Sequence, residues 1–243
     1  MNRKTVLITG SSRGIGKAIA MRFAKENFNI IINCVSNKEL LDETKREIES
    51  LGSPCLAYVG DMGDVKKVDE LFQLTKERFG GIDILINNAG ISQIGLLTDM
   101  TIEQWTNIMN TNLNSVFYCS RLAIPHMLSK QAGKIINISS VWGVVGASCE
   151  VAYSTTKGGV NSFTKALAKE LAPSGIQVNA IACGAIDTDM NHFLDSEELQ
   201  CLIDEIPTSR LGRAEEVAHL AFQLCEENHY LTGQVISLDG GWQ

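Results

Sequence analysis

The stretch that most restricts the fold is the opening, where an apolar run at residues 5–9 breaks into Gly10-Ser-Ser-Arg13-Gly14-Ile-Gly16. Helical periodicity follows to residue 27, then a second apolar run at 28–33. Short apolar runs on either side of an amphipathic helix read as buried parallel strands, so the chain begins with a βαβ unit. Glycines at 10, 14 and 16 let the backbone come close to a ligand, and the helix that starts there points free N–H groups and its positive dipole end at the same place. A pyrophosphate fits that cradle. The spacing is G-x-x-x-G-x-G rather than the G-x-G-x-x-G of most dinucleotide folds, so its strand-turn-helix context carries the inference more than the glycines do.

The alternation continues, with helices at 38–51, 65–79, 152–171 and 214–226 and strands at 54–59, 82–87, 134–139, 176–182 and 234–238. A long helical stretch spans 102–130, with a kink expected near Pro125, and residues 188–211 are mixed. Continuous apolar strands between amphipathic helices predict an α/β fold, a doubly wound parallel sheet of Rossmann-like type covered on both faces. No repeat or linker divides the chain, so one domain is expected over residues 1–243. A net charge of -7 disfavours nucleic acid and anionic membranes, and no apolar run approaches spanning length. A cytoplasmic protein with a small-molecule ligand is the expectation. Seven cysteines without a C-x-x-C pair, and histidines at 126, 192, 219 and 229 without ligand spacing, suggest neither a disulfide framework nor a metal.

Tyr153 and Lys157 are four residues apart on one helical face and reach one small volume. A phenol titrates near pH ~10, and an ammonium beside it is expected to lower that value and make the tyrosine usable in proton transfer. Alone, this spacing is common on amphipathic helices.

Joined in order by the turn at Gly10, Gly14 and Gly16, by Asn87-Asn88-Ala89-Gly90, and by Ser140, the pair makes the chain resemble the short-chain dehydrogenase/reductase family over residues 4–243. The resemblance implies a catalytic group of Asn112, Ser140, Tyr153 and Lys157. In it Ser140 holds the substrate carbonyl, Tyr153 transfers the proton, Lys157 binds the nicotinamide ribose and Asn112 holds a water. Asn110 and Asn114 compete with Asn112, and Ser139 with Ser140, although the thirteen-residue step to Tyr153 selects Ser140. The implied cofactor contacts are Gly10, Ser12, Arg13, Gly14, Ile15 and Gly16 in the turn, Asp61 and Met62 at the adenine, and Asn88, Ala89 and Gly90 at the ribose. Tyr153, Lys157, Ile186 and Thr188 complete them at the nicotinamide. Asp61 also fits a turn or helix cap. The second strand ends Asn33-Cys-Val-Ser-Asn37 without an acid, and Arg13 suits a 2′-phosphate, so NADP(H) is the expected cofactor.

Within the family the chain looks most like bacterial 3-oxoacyl-(acyl carrier protein) reductases. That implies an acyl-thioester substrate, acyl carrier protein as a partner and a homotetramer. The loops at 130–133 and 173–175 carry little basic charge for such docking. Cys183 stands where the family usually has proline, read first as a small filler, and Trp142 and Glu150 also depart from the pattern. A lid over the substrate is expected at about 188–211. Another ketone or secondary alcohol, such as a sugar or hydroxysteroid, is the alternative substrate. A non-catalytic dinucleotide-sensing scaffold is the alternative of another class.

Overall fold

The computed structural model describes residues 3–189, 195–226 and 228–243. Strands β1 (Thr5–Ile8), β2 (Asn29–Cys34), β3 (Cys55–Val59), β4 (Ile84–Asn87), β5 (Gly133–Ser140), β6 (Ile176–Cys183) and β7 (Val235–Leu238) form one sheet in the order β3-β2-β1-β4-β5-β6-β7. Every neighbouring pair is parallel. The winding reverses between β1 and β4, and such a switch point leaves a crevice at the carboxyl ends of the strands.

The period-two pattern explains both cores. Val6, Ile8, Ile30, Ile32, Ile84, Ile86 and Ile136 face helices α1 (Gly14–Ala24), α2 (Lys38–Ser50) and α8 (Ala214–Glu226). Leu7, Ile31, Leu85, Ile135 and Val178 face α3 (Val65–Phe79), α5 (Ser115–Lys130) and α6 (Val151–Leu171). Strands buried on both faces need apolar residues at consecutive positions, which is why β1 reads as an unbroken run. Phe23 meets Phe28 and Phe222 edge-on at 5.1 and 5.2 Å and ties α1 to α8.

Each strand lies within two residues of its expected limits, and two helical regions differ from expectation. Helix α5 runs through Pro125 without interruption, and the stretch at 102–130 departs from α geometry earlier. Helix α4 (Ile102–Met109) passes into a π-helical turn at Asn110–Asn114 before α5 begins. Pro125 frees the carbonyl of Arg121, which sits on the exposed side, so the lost bond costs little there. Within the mixed region, Ser196–Glu205 forms α7. Asp195 accepts from Glu197 and Glu198 N–H groups and so nucleates a helix that apolar periodicity does not announce. Residues 190–194 of the expected lid, His192 among them, lie outside the described residues. Among the described residues no helix is long and apolar enough to cross a membrane, and no cluster of three metal-ligating side chains occurs.

Candidate active site

At the carboxyl edge, the glycine-rich turn is built by side chains that grip its backbone. Asn88 Nδ2 donates to Thr9 O at 2.9 Å and to Gly10 O at 2.8 Å, while Thr9 Oγ1 accepts from the N–H groups of Asn88 and Ala89. From β2, Asn33 accepts from Gly10 N and donates to Gly60 O at 2.8 Å, joining three strand ends. A Cβ at Gly16 would stand 2.6 Å from Asn88 Nδ2, and one at Gly10 would stand 2.8 Å from Ala89 Cα, so neither position admits a side chain. Gly14 adopts φ 55°, the left-handed region that glycine occupies without penalty. Arg13 occupies the N-cap of α1 but makes no side-chain cap bond, which leaves the first-turn N–H groups open toward the crevice. An anionic pyrophosphate fits this uncapped, glycine-floored end. Asn33 was not singled out as a site residue; a polar side chain inside an apolar strand was the available signal.

The other expected contacts divide. Asn88, Ala89 and Gly90 line the crevice side of β4's end, and a Cβ at Gly90 would stand 3.5 Å from both Asn112 Oδ1 and Lys157 Nζ. Asp61 accepts from Gly63 N at 2.8 Å, the turn role anticipated for it. The Met62 side chain is 2% exposed and belongs to the core with Leu7 and Val68, which leaves its backbone to face a ligand. A Cβ at Gly14 would lie 3.5 Å from Thr188 Cγ2, so the segment after β6 passes over the turn. Arg13 and Asp189 form an exposed ion pair at 3.0 Å across that gap. Ile186 is buried and bridges Gly212.

Ser140, Tyr153 and Lys157 meet at the ends of β5 and α6. Adjacent strand residues point to opposite faces, which separates the two candidate serines. Ser139 Oγ donates to Lys157 O at 3.4 Å, whereas Ser140 Oγ accepts from Trp142 N at 3.2 Å and lies near enough to the Tyr153 phenol to lower its pKa. Lys157 is 4% exposed; its Nζ donates to Ile138 O at 2.8 Å and lies 5.5 Å from the centre of the Tyr153 ring. Burial draws the Lys157 ammonium down to about 8.

The expected lowering of the Tyr153 pKa is not found. Burial pushes it up, the nearby Ser140 hydroxyl pulls it back, and Cys183 and the Glu150 carboxylate push it further up. Lys157 is turned to a backbone carbonyl and is itself desolvated, so its charge does not govern the phenol. The phenol stays protonated at neutral pH.

The π-helical turn decides among the three asparagines. Asn114 Nδ2 donates to Asn110 Oδ1 at 2.7 Å, so those two satisfy each other. Asn112 points inward, 1% exposed; it donates to Ile91 O and accepts from Ile91 N, both at 2.8 Å, and donates to Thr156 Oγ1 at 3.2 Å. Its amide clamps the loop after β4, and Oδ1 keeps one further lone pair. Cys183 pairs in register with Ser140 and is buried, its thiol pushed up to about 12. It is a neutral filler of the site wall. Beyond it, Trp142 packs against Trp242 with ring centres 4.8 Å apart.

Comparison with known proteins agrees with the fold. The family model described as short chain dehydrogenase matches residues 4–199. The 3-oxoacyl-[acyl-carrier-protein] reductase FabG of Staphylococcus aureus is 39% identical over 239 residues, covering 98% of this chain and 97% of the relative. The protein of the same name from Thermotoga maritima is 40% identical over 239 residues, with 98% and 97% covered. An uncharacterized oxidoreductase, YmfI, of Bacillus subtilis is 39% identical over 240 residues, with 98% of each chain covered.

Proposed function

The chain belongs to the short chain dehydrogenase family, and on that premise we propose that it reduces a 3-oxoacyl thioester to the 3-hydroxyacyl form with NADPH. One observation carries the reading: a protonated tyrosine beside Ser140 stands at the same sheet edge as an uncapped, glycine-floored helix end. NADPH, when bound, supplies the hydride. Ser140 and Tyr153 hold the ketone oxygen between them, and Tyr153 gives it the proton as negative charge develops there. A phenol whose pKa is raised remains a proton donor throughout the neutral range, which suits the reductive direction. Lys157, behind the ring, binds the nicotinamide ribose, and Asn112 keeps the floor beneath it in register through Ile91. The turn at Gly10, Gly14 and Gly16 and the start of α1 hold the pyrophosphate, and Arg13 exchanges Asp189 for the 2′-phosphate.

Exposed Ile94, Leu96 and Leu97 lie on a loop bonded to the 144–149 loop through Gly95 N and Cys149 O at 2.9 Å. With exposed Val144 and Val145 they offer apolar surface beside the site, which supports an acyl chain over a sugar. Docking of acyl carrier protein has less support, because Lys130 is already paired with Asp83 at 2.7 Å. Exposed Phe117 and Leu128 on α5 support a cytoplasmic homotetramer paired along α5 and α6, and a monomer by light scattering would remove that part of the reading.

The test of function is NADPH oxidation with acetoacetyl thioesters against a panel of sugars and ketosteroids. Turnover of the thioester is expected; turnover of the others alone would reassign the substrate. No turnover of any would favour a dinucleotide sensor.

A further inference from the structure

Glu150 occupies the N-cap of α6, where Ser, Thr, Asp or Asn ordinarily bonds the first-turn N–H groups, and it makes no such bond. Instead Ser92 Oγ, on the loop after β4, donates to Glu150 Oε2 at 2.6 Å. That loop is fixed on both sides of Ser92, by Asn112 at Ile91 and by the Gly95 to Cys149 backbone bond at 2.9 Å. The carboxylate is therefore held in place, one helical turn before Tyr153, and its negative field reaches the phenol. No ion pair compensates it among the described residues. The two nearby cations of the site are committed elsewhere: Lys157 donates to Ile138 O behind the tyrosine, and Arg13 is paired with Asp189.

We propose that Glu150, positioned by Ser92, is a specificity-determining charge filter that rejects anionic ketones and admits the neutral thioester of the same 3-oxo acid. The proposal rests on the reductase reading above. The carboxylate of a free 3-oxo acid is two bonds from the reacting carbonyl carbon, so an acid whose ketone touches Tyr153 carries its charge into the field of Glu150 whichever flank it occupies. At an effective dielectric constant of about 20, two like charges about 10 Å apart repel enough to change affinity about tenfold. A thioester carries no such charge and differs little in shape near the carbonyl, so the filter acts on ionisation and not on size.

Acetoacetate and methyl acetoacetate differ by that charge and by one methyl group, whose effect cancels when the ratio is compared between proteins or salt concentrations. The readout is the ester-to-acid ratio, taken both in kcat/KM with NADPH and in affinity for the NADP+-bound protein by tryptophan fluorescence. Glu150→Gln keeps the shape and removes the charge, and its ratio is expected to fall about tenfold; a fall of less than about threefold overturns the filter. The wild-type protein gives a second arm, because salt screens the field of a carboxylate that is only half-buried. Raising KCl from about 0.05 to about 0.5 M is expected to lower the wild-type ratio, and a ratio that salt leaves unchanged overturns the proposal even if the variant does not fold. Acetoacetyl N-acetylcysteamine thioester is assayed alongside. If it is not reduced, the thioester reading fails while the affinity ratio still decides the filter, so the two failures are distinguishable.

Discussion

The inner wall of the site and its rim are built in different ways. Ser140, Lys157 and Asn112 are 7%, 4% and 1% exposed, and each is bonded to a strand end or loop that the sheet already holds. At the rim, the paired side chains of Arg13 and Asp189 are 65% and 50% exposed. Exposed ion pairs contribute about 0–1 kcal/mol, so their partners exchange readily, whereas a buried amide or ammonium that loses its partner costs several times as much. The wall is thus preorganised for one reaction, and the rim is where a ligand displaces what is there.

Breaking the wall carries the largest expected effect. Among the described residues Tyr153 is the group placed to give the proton, so in Tyr153→Phe kcat for thioester reduction should fall about 10³-fold, with NADPH affinity by fluorescence titration little changed. A variant that keeps its turnover would sink the mechanism. Titrating the wall comes next. Lys157, drawn down to about 8, loses its proton above that pH, while Tyr153 keeps its own. Reduction at saturating NADPH should be level below about pH 8 and then decline about tenfold per unit; a rate that is still level near pH 10 would show that the ammonium is not needed.

Rim changes should be smaller and confined to the cofactor. Arg13→Ala is expected to weaken NADPH about tenfold or more, as loss of a charge-assisted bond does, and to leave NADH nearly unaffected. Equal loss for both cofactors would remove the 2′-phosphate from the argument. Asp189→Asn frees Arg13 from its exposed partner and should tighten NADPH by no more than about threefold, in keeping with the small worth of such pairs. A larger loss instead of a gain would mean that Asp189 is itself a cofactor contact.

Much of this was legible because the signals were local. Strand limits followed from apolar runs, since a strand buried on both faces must be apolar at consecutive positions. Helix α3 lies where the apolar periodicity put it, and the structure adds Asp64 as the cap at its start and Gly80, at φ 85°, at its end. Less legible were features set by distant partners. Helix α7 rests on a capping box rather than on periodicity, and the interruption near 112 is a π-helical turn that no proline marks. That the Met62 side chain turns into the core was not legible either, because which face a residue presents depends on what packs behind it.

The sequence by itself determined the doubly wound sheet, the glycine-floored turn and the pairing of Tyr153 with Lys157 on one helical face, because each depends on residues near one another in the chain. Only the tertiary structure decided the electrostatics. Ser140 and Cys183 arrive beside Tyr153 from β5 and β6, Glu150 is bonded by Ser92 from the loop after β4, and Asp189 reaches Arg13 from the far side of the crevice. The pKa of the tyrosine turned on burial, to which spacing along one helix is blind: desolvation outweighed the nearby ammonium that the spacing had suggested would govern it.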